Sequence, residues 1–82
     1  MTDPTCLSLR HEGAVLHVTL NRPEVRNAMS VAMVRELIAV LKAAETDGST
    51  RVLVLRGAGG HFCAGADLKD MAGARARLNE DP

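Results

Sequence analysis

Aromatic residues are nearly absent from this sequence, which has one phenylalanine, Phe62, and no tryptophan or tyrosine among its 82 residues. Large rings anchor the cores of many small domains. A chain of this length also buries only a modest fraction of its surface. The apolar share is nevertheless 46%, carried mainly by Val, Leu, Ala and Met. The composition therefore indicates a piece of a larger packed fold, with no sign of a second domain.

The sequence has no excess of charge of either sign. Ten Lys and Arg residues balance ten Asp and Glu residues, and no run of like charge occurs. Proteins that bind nucleic acid or an acidic membrane surface usually carry a basic patch. We therefore expect neither nucleic acid nor a membrane as a partner.

Cysteine is sparse, and long apolar segments are missing. Cys6 and Cys63 form neither a CxxC motif nor a framework of paired spacings, which favours a reducing compartment without disulfides. Residues 1–5 lack the basic and apolar regions of a signal peptide, and no stretch is long enough to span a bilayer. The sequence predicts a soluble, cytoplasmic protein.

The first twenty residues predict an antiparallel hairpin. Apolar and polar residues alternate over residues 14–20, residues 6–10 form a shorter run, and Glu12-Gly13 supplies a turn between them. Pro23 has no N–H and restricts the residue before it to extended conformations. The second strand should therefore end near Asn21 and a loop should run to about Met29.

A helix and a strand follow this loop. Ser30 is a good N-cap, Gly48 is a candidate helix end, and apolar residues recur at helical spacing between them: Val34, Leu37, Ile38, Leu41 and Ala44. Residues 51–56 then contain an unbroken apolar run, typical of a strand buried on both faces. With a second helix starting near Asp67, the predicted order is ββαβα, an α/β arrangement. Residues 72–82 predict a mobile loop or a frayed helix.

The connection between that strand and the second helix is the most informative segment. It reads HFCAGADLKDM over residues 61–71, after Gly57-Ala58-Gly59-Gly60. Small residues leave the peptide planes accessible, and Asp67 places a carboxylate where a helix start favours negative charge. A backbone N–H at such a point can attract an oxyanion. The same small residues also suit a tight strand-to-helix connection without chemistry.

Two motifs together carry a family resemblance. Residues 20–29 (LNRPEVRNAM) and residues 60–69 (GHFCAGADLK) flank a helix and a strand. In this order and spacing, the sequence resembles the start of the enoyl-CoA hydratase/isomerase family, which has the crotonase fold. The resemblance implies that residues 1–82 are the N-terminal part of a crotonase-like domain, and that the remainder of the subunit lies elsewhere. The amino-acid sequence of the second motif is most similar to that of methylglutaconyl- and isohexenylglutaconyl-CoA-type hydratases.

The resemblance implies a lyase that hydrates a 2-enoyl-CoA thioester, with coenzyme A as part of the substrate and no permanently bound cofactor. Family members usually assemble as homotrimers or homohexamers. Hydratases of the family use two glutamates and a second N–H donor from the later half of the subunit, and no glutamate of this chain lies in that context. Double-bond isomerisation on the same scaffold, and a catalytically silent CoA-binding or assembly module, therefore remain open alternatives.

When the family's functional residues are matched to the two motifs of this sequence, the resemblance implies that the Ala66 N–H donates a hydrogen bond to an oxyanion. It also implies a substrate- and CoA-binding set: Arg26, Ala28, Ala64, Gly65, Ala66, Asp67, Leu68 and Lys69. Arg26 can meet CoA phosphates or remain a solvated loop charge. The same two interpretations apply to Lys69, whereas Arg22, directly before Pro23, is expected to be structural.

Other sites find little support in the sequence. A GxGxxG fingerprint fails because Phe62 occupies its third glycine position. No histidine and cysteine pair has the spacing of a metal site, so we expect no metal. Cys63 lies shortly before a helix start, yet the sequence identifies no base to activate it as a nucleophile.

Overall fold

The computed structural model describes residues 6–73. The first two strands of this part of the chain form the predicted hairpin. Strand β1 (Leu7–Glu12) pairs antiparallel with β2 (Val15–Leu20), in register from Leu7 opposite Leu20 to Glu12 opposite Val15. Gly13 occupies the connecting turn with φ +59°, a left-handed conformation that glycine adopts without steric cost. The hairpin prediction is confirmed, with strand ends shifted by one or two residues.

Helix α1 (Val31–Thr46) follows the hairpin and leads into strand β3 (Val52–Gly57). Strand β3 is parallel to β2, from Val15 opposite Val52 to Leu20 opposite Gly57. The sheet order is therefore β1-β2-β3, with α1 as the crossover between parallel strands. The predicted ββαβ order is confirmed.

Helix α1 starts and ends close to where the sequence predicts. The Ser30 hydroxyl accepts a hydrogen bond from the Met33 N–H at 3.1 Å, as an N-cap should. The C-cap is Asp47 in an extended conformation, so Gly48 directly follows the helix end as expected, although it does not adopt the left-handed conformation common at that position. The Asp47 carboxylate instead accepts bonds from the Ser49 N–H and the Thr50 hydroxyl, which favours a turn at this point.

The core lies between α1 and one face of the sheet. Its fully buried apolar residues come mainly from the hairpin: Leu7, Leu16, Val18, Leu20 and Met33. Helix α1 packs on this core through Met33, Leu37, Val40 and Ala44. The predicted stripe is thus partly wrong, because Ile38 and Leu41 are 47% and 46% exposed. The helix carries two neighbouring apolar stripes, and only the one through Met33 faces the sheet.

Strand β3 carries the apolar run that is typical of a strand buried on both faces, and residues 6–73 cover this run only in part. Val52 and Leu55 are 51% and 39% exposed. The physical reason is that β3 is an edge strand of the three-stranded sheet, and α1 is the one long helix in the described chain. Its apolar run therefore has more surface than this part of the chain covers.

The second helix begins after Asp67, with residues 68–73 helical at the end of the described chain. Residues 72 and 73 belong to this helix, and the rest of the segment predicted as a mobile loop or frayed helix lies outside the described residues. No helix within residues 6–73 has the length and apolar character needed to cross a membrane.

Candidate functional site

Two turns, far apart in sequence, meet beyond the ends of β2 and β3. We call residues 21–30 the first turn and residues 58–67 the second turn. Their backbones are joined by three hydrogen bonds: Ala64 N–H to the Arg26 oxygen at 3.0 Å, Met29 N–H to the Gly65 oxygen at 2.7 Å, and Asp67 N–H to the Met29 oxygen at 3.0 Å. The two motifs singled out in the sequence are therefore one structural unit.

Ala66 lies at the centre of this unit. Met29 and Ala66 form an isolated parallel bridge. The Met29 N–H donates to the Gly65 oxygen and the Met29 oxygen accepts from the Asp67 N–H, so both backbone groups of Met29 bond to the neighbours of Ala66. The N–H of the opposing residue in such a bridge points away from its partner. Within residues 6–73 the Ala66 N–H bonds to no acceptor, and Ala66 is exposed. It is an accessible donor one residue before a helix cap.

Two glycines allow the second turn to adopt this shape. A Cβ on Gly57 would lie 2.6 Å from the Phe62 Cα, so the backbone that folds back over the end of β3 leaves no room for a side chain. Gly65 has φ +105°, a conformation that L side chains rarely adopt. The small residues recognised in the sequence are thus needed for the path that presents Ala66.

Asn27 holds the first turn against the second. It is fully buried and has φ +58°, in the left-handed region that asparagine tolerates better than most residues. Its side-chain oxygen accepts from the Arg22 N–H at 2.7 Å. Its amide nitrogen donates to the Ala58 oxygen at 2.8 Å and to the His61 oxygen at 2.7 Å. This role of Asn27 was not predicted from the sequence, although an asparagine after a turn proline was a usable signal.

Arg22 and Asp67 form an ion pair across the two turns. Arg22 Nη2 lies 3.1 Å from Asp67 Oδ2, and Arg22 Nη1 donates to the Ala28 carbonyl oxygen. Hydrogen bonds from the Asp70 backbone, and then from the Arg22 guanidinium, hold the pKa of the Asp67 carboxyl below its usual value. Asp67 is therefore ionised at neutral pH, with its carboxylate engaged inside the protein.

Asp70 brings the starts of the two helices together. Its Oδ2 accepts from the Val31 N–H, the first residue of α1, at 2.8 Å. Its own N–H donates to Asp67 Oδ1 at 3.0 Å, which caps the second helix. Two helix N-termini therefore lie next to Ala66, and both favour negative charge nearby. Asp70 was also missed in the sequence, because its partner is 39 positions away.

The remaining predicted binding residues lie on this unit and differ in exposure. Arg26 is exposed at φ +54°, and its guanidinium bonds to no acceptor within residues 6–73. Leu68 and Lys69 are exposed in the first turn of the second helix, and Ala28 is half-buried under the Arg22 guanidinium. The structure therefore gathers the predicted set around the junction of the two turns.

No metal centre accompanies this unit in the described part of the chain. Residues 6–73 contain no group of three or more His, Cys, Asp or Glu side chains arranged to hold a metal ion. The Cys63 sulfur instead accepts a bond from the Gly65 N–H at 3.4 Å. This contact gives Cys63 a local structural role within the second turn.

Comparison with known proteins identifies a family. A family profile described as enoyl-CoA hydratase/isomerase matches residues 10–81. The enoyl-CoA hydratase EchA19 of Mycobacterium tuberculosis is 44% identical over 61 residues, covering 74% of this chain and 23% of that protein. The mitochondrial Delta(3,5)-Delta(2,4)-dienoyl-CoA isomerase of Mus musculus is 52% identical over 58 residues, covering 71% of this chain and 18% of that protein.

Solved structures agree with this result. The structure of Pseudomonas aeruginosa AtuE matches with a TM-score of 0.83 and 64% identity, over 89% of this chain and 28% of that chain. The chain thus spans between 18% and 28% of the length of these three proteins. Its α/β architecture is the corresponding part of the crotonase-like fold. From its sequence and its structure alike, the chain belongs to the enoyl-CoA hydratase/isomerase family.

Proposed function

We propose that this chain contributes the oxyanion-binding half-site of an enzyme that hydrates 2-enoyl-CoA thioesters. Addition of water to the double bond pushes negative charge onto the thioester carbonyl oxygen, and a preorganised N–H donor stabilises that charge. The observation that carries the proposal is the Ala66 N–H, which bonds to no acceptor within residues 6–73 while both neighbouring residues are bonded to Met29.

The surroundings of Ala66 support this role. Both helices next to it begin nearby, and the positive ends of their dipoles favour an anion. The Met29 bridge holds the peptide before the reaction begins, so little reorganisation is needed when charge develops. By resemblance to the family, the second N–H donor and the two glutamates that handle water come from outside this chain.

Coenzyme A enters this proposal as part of the substrate, with no permanently bound cofactor. Arg26 is the proposed contact for its phosphates, because its guanidinium is exposed and bonds to no acceptor in the described chain. The proposed acyl-CoA surface is completed by exposed residues of the second turn and the helix after it, Ala64, Gly65, Leu68 and Lys69, and by the half-buried Ala28 and Asp67. Asp67 contributes through its backbone, since its carboxylate is engaged by Arg22.

The acyl group and the assembly are finer parts of the same proposal. The amino-acid sequence of residues 60–69 favours a branched or carboxylated acyl chain of the methylglutaconyl- or isohexenylglutaconyl-CoA type. The proposed working form is a homotrimer or homohexamer in the cytoplasm, with the rest of each subunit supplying most contacts between copies.

Isomerisation is the second candidate, because a dienoyl-CoA isomerase is 52% identical to this chain over 58 residues. The two reactions share the enolate-like charge on the thioester oxygen, so both would use the Ala66 N–H. They differ in the groups that move protons, which lie outside this chain. Assays with a 2-enoyl-CoA and a 3-enoyl-CoA, compared side by side, distinguish the two reactions.

The test of the oxyanion role replaces Ala66 by proline and by glycine in a full-length subunit that contains this chain. Ala66→Pro removes the N–H, and turnover should fall by about 10²-fold or more. Ala66→Gly keeps the N–H and should retain most activity. Since the Ala66 N–H bonds to nothing in the described chain, the folded yield should change little in either variant. Normal turnover by folded Ala66→Pro protein would exclude this donor.

A further inference from the structure

One arginine side chain touches both sides of the Met29–Ala66 bridge. Arg22 Nη1 donates to the carbonyl oxygen of Ala28, the residue before Met29, at 2.5 Å. Arg22 Nη2 donates to the carboxylate of Asp67, the residue after Ala66, at 3.1 Å. The guanidinium therefore spans the bridge from outside, although residues 22 and 67 are 45 positions apart in sequence.

The pair is held in place from further directions. The Arg22 and Asp67 side chains are 20% and 17% exposed, so neither samples solvent freely. The Arg22 N–H donates to the Asn27 side chain, and the second Asp67 oxygen accepts from the Asp70 N–H. The Arg22 backbone and the Asp67 carboxylate are thus each held by a bond outside the ion pair, which lowers the entropy cost of the contact.

This geometry requires arginine. A guanidinium presents several N–H donors in a planar fork, and here two of its nitrogens reach different acceptors. A lysine ammonium at the same position would keep the charge but would be a single point, unable to hold the Ala28 oxygen and the Asp67 carboxylate in the same way. Arg22, directly before Pro23, was expected to be structural, and its two side-chain contacts lie on either side of the Met29–Ala66 bridge.

We infer that Arg22 and Asp67 are positioning residues that fix the Ala66 N–H relative to the substrate carbonyl. This inference rests on the proposed oxyanion role of Ala66. Each residue acts through the backbone next to the bridge, Arg22 through Ala28 and Asp67 through its own peptide. Because a displacement of about 1 Å in a reacting group can lower a rate by about 10²-fold, a loosened bridge should reduce turnover even where the fold persists.

Two conservative substitutions in the full-length subunit separate positioning from folding. Arg22→Lys retains the positive charge and loses the planar guanidinium that reaches both acceptors. Asp67→Asn retains an oxygen that can cap the Asp70 N–H and loses the charge that Arg22 binds. Each should lower kcat by about tenfold or more with KM nearly unchanged, because the loss falls on the transition state. Arg10→Lys is the matched control, since Arg10 is exposed and pairs with Glu12 on the hairpin surface.

The double variant provides the second measurement. If Arg22 and Asp67 act as one unit, Arg22→Lys combined with Asp67→Asn should cost no more in kcat than the larger single loss. Losses that multiply would overturn the inference, as would an unchanged kcat in either folded single variant. A kcat loss that matches the loss of folded protein by circular dichroism would also overturn it, by assigning the pair to folding alone.

Failure of the underlying function is distinguishable from failure of this inference. If the unsubstituted full-length subunit turns over neither a 2-enoyl-CoA nor a 3-enoyl-CoA, the proposed function fails and the pair has no reaction to serve. If the unsubstituted subunit is active, Ala66→Pro abolishes turnover and Arg22→Lys does not, the oxyanion role stands and only the positioning role is wrong.

Discussion

The side-chain amide of Asn27 donates to the carbonyl oxygen of His61 at 2.7 Å, and this bond ties the first turn to the second across 34 positions of sequence. Asn27 makes two further bonds and is fully buried, so water has no access to replace any of them. Buried polar groups are costly when they lose their partners. The junction beside Ala66 therefore depends on a residue that takes no part in chemistry.

Asn27→Ala should accordingly destabilise the protein strongly. It leaves the Arg22 N–H and two carbonyl oxygens without partners and places alanine at φ +58°. We expect the free energy of unfolding to fall by about 3 kcal/mol in urea titrations of the full-length subunit. Asn27→Gly should lose slightly less, because glycine accepts the left-handed backbone. The control is Asn21→Ala at an exposed position, and an equal loss there would contradict the prediction.

Arg26→Ala should raise the KM for a CoA thioester with little change in kcat. A contact with a phosphate far from the reacting carbonyl binds the ground state and the transition state alike. Steady-state kinetics at several salt concentrations measure the effect, and the difference from the unsubstituted subunit should shrink as salt screens the charge. Arg35→Ala, on an exposed face of α1, is the control. An unchanged KM would return Arg26 to a solvated loop charge.

Acid should remove the contribution of the Asp67 ion pair to stability. The folded protein holds the pKa of Asp67 below its unfolded value, first through the Asp70 N–H and then through Arg22. The contribution is therefore present above the unfolded pKa of about 4 and is lost as pH falls through the folded value. Asp67→Asn should be less stable than the unsubstituted subunit at pH 7 and approach it in acid. A gap that is constant from pH 7 to pH 3 would contradict this assignment.

Residues 1–82 made alone should neither fold into a stable monomer nor hydrate enoyl-CoA. Only five apolar side chains of the described residues are buried in the core, whereas Ile38 and Leu41 of α1 and Val52 and Leu55 of β3 remain exposed. An apolar surface of that extent needs cover that this part of the chain does not supply. Circular dichroism and enoyl-CoA absorbance test both points. A sharp cooperative melt with hydration above background would show a self-sufficient domain.

Local sequence signals predicted the elements of this fold well. The hairpin follows from residue alternation around Gly13, and the start of α1 follows from Ser30, since each depends on neighbours within a few positions. The errors concern which surfaces are covered. Ile38 and Val52 are apolar in sequence, yet their burial depends on elements that pack against them, and spacing along one helix or strand contains no information about those partners.

The candidate site likewise contains residues that the sequence located and residues that it could not. Ala66 and the small residues around it could be located because a motif marks them, and Gly57 confirms that the path needs glycine. Asp70 could not be assigned, because its partner Val31 lies 39 positions away and only folding brings the two together. Asn27 could have been recognised as a turn residue, but its bonds to Ala58 and His61, more than thirty positions away, could not be predicted. A single sequence shows that such polar residues exist but does not show which distant backbone groups they bind.

The Met29–Ala66 bridge also has a consequence for dynamics. Because the first and second turns share three backbone bonds, one ion pair and the amide of Asn27, neither turn can open while the other stays closed. Segments that share their hydrogen bonds exchange amide protons as one cooperative unit. The Met29 and Asp67 amides should therefore show the same free energy of opening by hydrogen exchange, and a substrate that binds at Ala66 should slow both together.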